Sequence, residues 1–340
     1  MSGAGDHQDR PVGFGVIGAR SMIATKAVLP ALDAAEGARI AAVATRSGSI
    51  AAPWSALAVA DYDEVVQHPD VEAVYVPLPN SMHREWVERA AAAGKHVLCE
   101  KPLGATAAEA AAMAAACADA GVLLAEAWMT PFDPRWSEAA RLVREGAVGE
   151  LRTIDAAFTF TLPPSAADNY RWDPALGGGA LLDVGIYCVG PAAELWGTDP
   201  TTVEASVLST ARGVDATTAA ELRWDDGRVA RARCSFVEDD VQRLEYVGTT
   251  GRLALDGDAH TGGAPARRIQ WWRTGGAAGT DDGGPESIDV VPDDPYRGMV
   301  ERFAAAVRGA AEWPRPVSRA VDLAALLDRI RAVATELPTP

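Results

Sequence analysis

Positive charge is scarce in this chain: 31 Lys and Arg stand against 47 Asp and Glu, a net charge of −16 over 340 residues. Nucleic acid binds through basic faces, so the deficit excludes it as the partner. Cysteine is scarce too. Cys99, Cys117, Cys188 and Cys234 show no Cys-x-x-Cys spacing and no paired framework. They read as reduced thiols of a cytoplasmic protein. Met1 to Arg10 holds no apolar stretch; it reads as a disordered tail, not a signal peptide. No apolar run approaches the ~18 residues of a membrane span, so no membrane partner is expected. What remains is 48% apolar and 23% charged residues, a globular balance with length enough for two domains.

Short apolar runs alternate with helical stretches over the first third. Val12 to Ile17, Ala38 to Ala44, Ala73 to Val76, Val97 to Cys99 and Val122 to Ala125 read as buried strands. Between them lie helices to about Ala35, over Asp61 to Gln67, over Met82 to Ala93 and to Ala120. Strands alternating with helices predict a doubly wound parallel sheet. The first strand runs into Gly18-Ala19-Arg20-Ser21-Met22-Ile23-Ala24. Strand, glycine turn and helix form the dinucleotide-binding context, in which helix N-terminal N–H groups hold the pyrophosphate. Arg20 stands where a second glycine is usual, and the turn is one residue longer than the fingerprint. The second strand ends Ala44-Thr45-Arg46-Ser47 with no acid for a ribose hydroxyl. A hydroxyl and a guanidinium suit a 2′-phosphate, so NADP is expected, with NAD as the alternative.

Ligands in such sheets bind beyond the carboxyl ends of the strands. The third strand leaves through Pro77-Leu78-Pro79-Asn80-Ser81-Met82-His83. Ser81 or Asn80 is expected to cap the next helix, with Asn80 and His83 in the ligand crevice. The fourth strand leaves through Glu100-Lys101-Pro102. The crossing point is expected at Glu126-Ala127-Trp128-Met129.

Beyond Trp128 the pattern changes. A helix from Arg135 to Gly146 precedes a strand from Leu151 to Leu162 that alternates with period two. Gly177-Gly178-Gly179 opens a helix to about Gly190, which Pro191 is expected to break or kink. Thr202 to Leu255 reads as an antiparallel meander, with a turn at Asp225-Asp226-Gly227. Asp256 to Gly284 reads as a loop around an edge strand at Ile269 to Trp272. Helices from Pro295 to Arg308 and Ser318 to Leu337 close the chain. The division is therefore a tail over 1–10, a dinucleotide-binding domain over 11–127, and a substrate-binding and oligomerisation domain over 128–340.

These motifs resemble the Gfo/Idh/MocA oxidoreductases, the group of glucose–fructose oxidoreductase and inositol dehydrogenase. The resemblance rests on Gly18 to Ala24, Pro77 to His83, Gly94 to Leu103, Gly177 to Tyr187 and Gly248-Thr249-Thr250-Gly251. It implies an α/β fold: a Rossmann domain, then an α+β domain with an open, mainly antiparallel sheet. It implies cofactor contacts at Gly18, Arg20, Ser21, Met22, Ile23, Thr45, Arg46, Pro77, Leu78, Asn80, His83, Glu100, Lys101, Trp128, Arg171 and Trp172. No metal is implied. The chain departs from the family at Arg20 and at Thr130-Pro131-Phe132-Asp133-Pro134, where many members carry a basic or aromatic residue and then His-Pro.

Hydride transfer to a carbonyl needs a proton donor for the developing alkoxide. Asp183 and Tyr187 are four apart on a helix, so they share a face, and the family pattern sets that face against the nicotinamide beside Lys101. Tyr187 is expected as general acid/base, Lys101 as the cation tuning it and binding ribose or substrate hydroxyl, and Asp183 as the group orienting substrate. Lys101 as direct donor is the alternative. The expected reaction is oxidation or reduction of a sugar, nucleotide-sugar or cyclic polyol, with dihydrodiol or aldose dehydrogenation also open. A non-catalytic dinucleotide-binding sensor on the same fold is the competing class. A homodimer or homotetramer is expected through the face of the meander that carries Val203, Ala205 and Val207.

Overall fold

The computed structural model describes residues 10–46, 49–255, 257–261, 268–273 and 284–338. The expected tail over 1–9 and most of the expected loop within 256–284 lie outside those residues. The chain divides into two compact units, Met1–Met129 with Tyr296–Ala324, and Thr130–Pro295 with Ala325–Pro340. The expected contiguous domain over 128–340 is corrected here, because 296–324 returns to the first unit.

The first unit is a parallel sheet of five strands in the order β2-β1-β3-β4-β5. They are β1 (Val12–Ile17), β2 (Ala38–Ala44), β3 (Ala73–Val76), β4 (His96–Glu100) and β5 (Leu124–Ala127). Phe14, Val16, Ile17, Val74, Val97 and Leu98 are fully buried, each burial contributing about 1.5–3 kcal/mol. The order reverses at β1, the switch point where such sheets bind ligands. β5 extends through Glu126 and Ala127, two residues beyond the expected strand.

Helix α1 follows β1 as a π-helical stretch, Ala24–Val28, continued as α-helix over Leu29–Ala34. A π turn holds one more residue than an α turn, and so accommodates the extra residue of the glycine segment. Helices α2 (Tyr62–Gln67), α3 (His83–Ala92) and α4 (Ala107–Asp119) complete the alternation. Met82 occupies the cap position of α3, with no side-chain cap hydrogen bond, so the capping expected of Ser81 or Asn80 is not seen. Helix α7 (Pro295–Val307) joins this unit. Arg308, just after it, pairs with Glu72 at 2.6 and 3.0 Å.

The second unit carries α5 (Pro134–Arg144), β6 (Leu151–Thr161) and α6, which is π-helical over Leu181–Gly185 and α-helical over Ile186–Trp196. Strands β7 (Thr202–Ser209), β8 (Asp215–Arg223), β9 (Val229–Ser235), β10 (Val237–Gly248) and β11 (Gly251–Leu255) follow. β12 (Arg268–Arg273), β13 (Glu286–Asp289), α8 (Val317–Val333) and β14 (Thr335–Glu336) complete the chain. The sheet order among the described residues is β13-β12-β11-β10-β6-β9-β8-β7-β14.

Three expectations change here. β6 inserts into the meander, antiparallel to β10 and parallel to β9. β12 pairs on both sides, so the edge is β13. The last helix ends at Val333, and Thr335–Glu336 adds a parallel strand beside β7. Pro191 sits inside α6 without ending it. One helical stretch among the described residues, Pro174–Trp196, is long and apolar enough to cross a membrane by length and composition only. Its apolar window is 78% buried within the protein, as in a core helix.

Candidate active site

In the first unit, the glycine turn is built by sterics. Gly18 has φ +75°, and a Cβ there would meet Leu78 Cδ2 at 2.7 Å; only glycine permits both. The Ala19 N–H donates to Ala44 O, so the turn is tied to the end of β2. Ser21 Oγ accepts from the Ala24 N–H at 3.1 Å, fixing the start of α1. Arg20 is exposed and Ile23 half-buried; Met22 is 61% exposed. The replacement of glycine by Arg20 therefore costs no core space. At the end of β2, Thr45 is buried and Arg46 exposed. Burial raises the pKa of Tyr62, opposed by the Arg46 N–H and the Arg46 charge, which places Arg46 against α2.

Leu78 and Pro77 lie on the segment after β3, and Asn80 beyond them is buried. His83 departs from its expected role. It is fully buried, with Nε2 2.9 Å from Leu78 O and Nδ1 3.2 and 3.1 Å from Pro102 O and Leu103 O. Burial lowers its pKa, and the carbonyls only partly oppose this. The neutral ring has one N–H to donate, to Leu78 O or to the Pro102 and Leu103 carbonyls, and it packs between the segments after β3 and β4.

Glu100 ends β4 and Lys101 follows it. Tyr75 donates to Glu100 Oε1 at 2.7 Å, and the Lys101 N–H reaches Glu100 Oε2 at 3.3 Å. Burial raises the Glu100 carboxyl, with the Lys101 charge and the Tyr75 hydroxyl pulling the other way. Lys101 is half-buried. Trp128 also departs from expectation: it is 1% exposed, beneath the guanidinium of Arg315 at 4.9 Å.

In the second unit, Gly179 shows why a glycine patch opens α6. Its φ is +111°, and a Cβ would meet Asp215 Oδ1 at 2.0 Å. Asp215 Oδ2 accepts the Leu181 N–H at 2.7 Å, so a strand residue caps the helix. Asp183 lies within the π stretch, where the α-helical four-residue argument for a face shared with Tyr187 does not apply. Its carboxylate meets Arg171 in a bidentate pair, Nε to Oδ2 at 2.5 Å and Nη2 to Oδ1 at 2.8 Å. Tyr170 OH lies 3.4 Å from Oδ1. Burial pushes the Arg171 pKa down, but Asp183, with Tyr170 and Tyr187 adding, outweighs it. Arg171 is thus the partner of Asp183, and Trp172 packs edge-on against Phe236 at 4.6 Å. Neither was expected to have that duty.

Tyr187 is buried, its ring 5.4 Å from Phe158 and 6.0 Å from His260. His260 stacks on Phe158 at 5.4 Å, with Nε2 3.0 and 3.1 Å from Ala157 O and Arg243 O. Two carbonyls at Nε2 put the proton there, and buried Nδ1 has no partner among the described residues. Burial pushes its pKa down to about 4. Sequence reasoning missed His260, a lone histidine in a Gly- and Asp-rich stretch, and Arg315, whose ion-pair partner is Glu126. No local spacing signals either.

Residues 12–127 match the oxidoreductase family with an NAD-binding Rossmann fold, and 136–254 match the GFO/IDH/MocA C-terminal domain. The chain belongs to the GFO/IDH/MocA oxidoreductases. It is 38% identical to D-xylose 1-dehydrogenase (NADP(+)) 2 of Haloferax volcanii, over 89% of this chain and 90% of that one. It is 33% identical to dTDP-3,4-didehydro-2,6-dideoxy-alpha-D-glucose 3-reductase of Streptomyces antibioticus, over 94% and 96%. A 3-ketoreductase from Actinomadura kijaniata, solved with NADP and TDP-benzene, superposes with a TM-score of 0.87 at 29% identity, covering 97% of this chain and 100% of that chain. As a GFO/IDH/MocA member, this chain is an NAD(P)-dependent oxidoreductase acting on CH–OH groups. The cradle at Gly18 and the helix start at Ser21 fit a dinucleotide pyrophosphate, which needs close backbone approach.

Proposed function

We propose that this enzyme interconverts a carbonyl and a secondary alcohol on a sugar or nucleotide-sugar, with NADP preferred over NAD. The observation that supports the cofactor preference is the end of β2, where an exposed arginine follows a buried threonine and no carboxylate is present. A carboxylate there would repel a 2′-phosphate, whereas a guanidinium fork matches it. Gly18, Ser21 and Arg46 are the residues assigned to the dinucleotide. A bound nicotinamide supplies or accepts the hydride.

The protein's own task is the proton. Tyr187 is assigned as general acid in reduction: its O–H breaks, the substrate oxygen gains the proton, and solvent restores it. The phenolate left behind is favoured by neighbouring positive charge; the charge of Arg171 is already balanced by its bidentate pair with Asp183, so the tuning cation assigned to Tyr187 is Lys101. Lys101 is assigned to hold a ribose or substrate hydroxyl. Asp183 acts through Arg171 in this reading, rather than on substrate directly. The xylose dehydrogenase and the 3-ketoreductases named above support a sugar-type substrate.

The test is binding of NADPH and NADH to wild type and Arg46→Ala, followed by turnover on D-xylose with NADP and on a dTDP-linked keto-sugar with NADPH. The expected result is tighter NADPH binding in wild type and a smaller ratio in the variant. Equal wild-type affinities, or a ratio untouched by Arg46→Ala, refute the cofactor assignment.

A further inference from the structure

Lys101 stands on a short turn that several buried groups hold at once. Glu100 at its start is fixed by Tyr75, and the Pro102 and Leu103 carbonyls meet the His83 ring. The Leu103 N–H donates to Glu126 Oε1 at 2.9 Å. Glu126, at the end of β5, gives its other oxygen to Arg315 Nη1 at 2.5 Å. Both side chains of that pair are nearly inaccessible, at 7% and 2%. Arg315 comes from the segment between α7 and α8 and covers the Trp128 ring. All these residues belong to the first unit.

A buried pair of this kind is weak evidence for stability, since removing two charges from water costs about what their attraction returns. Its geometry does specify position. Arg315 offers a rigid planar fork, which fixes the Glu126 carboxylate, which in turn fixes the Leu103 amide two residues from Lys101. We infer that Arg315 is a positioning residue for Lys101, holding the Lys101-Pro102-Leu103 turn through Glu126. The inference rests on the reading of Lys101 given under the proposed function.

The chain has only three lysines, Lys26, Lys95 and Lys101. Acetic anhydride labelling of the full-length protein, read peptide by peptide by mass spectrometry, therefore reports each amine separately. Lys26 is exposed, and Lys95 donates to His68 O and Val71 O at 3.2 and 2.7 Å; both are controls. In wild type, saturating NADPH should protect Lys101 and leave the controls unchanged. In Arg315→Met the same NADPH concentration should no longer protect Lys101. Turnover should fall by about 10²-fold, the scale of a 1 Å misplacement, with Lys26 and Lys95 labelling as in wild type. Arg315→Lys, which keeps a cation beside Glu126 but loses the fork, should recover part of both.

Arg315→Met leaves Glu126 buried and unpaired; if it does not fold, Glu126→Gln and Arg315→Lys carry the same readout. No protection in wild type defeats the assignment of Lys101, and the inference with it. Protection in wild type that persists with full turnover in the folded variants overturns the inference alone. So does an equal rise at all three lysines, which assigns Arg315 to general stability.

Discussion

At the scale of single residues, the second unit sets its chemistry by burying ionisable groups with chosen partners. His260 is the clearest case. It is 1% exposed, neutral at neutral pH, and stacked on the ring that touches Tyr187. Its folded pKa of about 4 lies below the 6.5 of a free imidazole. Above pH 6.5 both states are neutral and the protein has its full stability. As pH falls from 6.5 to about 4, the unfolded chain takes a proton that the folded chain refuses, so stability drops. The loss should reach about 3 kcal/mol, at 1.36 kcal/mol per pKa unit. Urea unfolding across this window should show that slope in wild type and a shallower one in His260→Gln, whose amide keeps a donor for the two carbonyls. Identical slopes would remove His260 from the account. Nothing near Asp258-Ala259-His260-Thr261 in the sequence announces this histidine, because its partners come from β6 and β10. The placing of Lys101 at the end of a strand and of Tyr187 on a helix was legible because each sits in a dense local motif. The duties of His83, Trp128, Arg171 and Asp183 were not, because burial and a competing partner decide them.

At the scale of elements, α6 begins at a place where backbone, not side chain, sets the rule. Asp215 reaches the Leu181 N–H only because Gly179 has no Cβ. Gly179→Ala should therefore lower stability by about 1–3 kcal/mol, the cost of forcing a side chain into a sparsely populated conformation, before the clash with Asp215 is added. Urea midpoints of the two proteins check this; an unchanged midpoint would mean that the turn can relax. The strands of the first unit were legible almost to the residue, since β1 and β3 are unbroken apolar runs, and β2 is broken only by Arg39, between glycine, proline and polar punctuation. The π stretches in α1 and α6 were not, since they depend on tertiary packing. The insertion of β6 between β9 and β10 was also invisible, because period-two alternation reports a strand's faces and not its neighbours. Of the two outcomes expected of Pro191, the structure excludes the break: the helix continues through it to Trp196.

At the scale of the whole molecule, the outer part of the large sheet bears on assembly. A shallow hollow of about 680 Å³ lies over β6 to β10, lined by Val203, Ala205, Ala219, Glu221, Arg231 and Arg233 among others. Apolar and paired charged groups of both signs suit a self-complementary contact. Light scattering at micromolar concentration should give a dimer or tetramer, and Val203→Arg should shift it towards monomer. A wild-type monomer would contradict the assembly. The central claim, though, is that Tyr187 delivers the proton. Tyr187→Phe keeps the ring against Phe158 and removes only the hydroxyl, so folding and NADPH affinity should survive. The direct test is turnover of this variant on the carbonyl substrate that wild type reduces. A fall of about 10²–10⁴-fold, as for loss of a general acid, with NADPH binding unchanged, is the predicted result; near-wild-type turnover would contradict it and pass the role to Lys101.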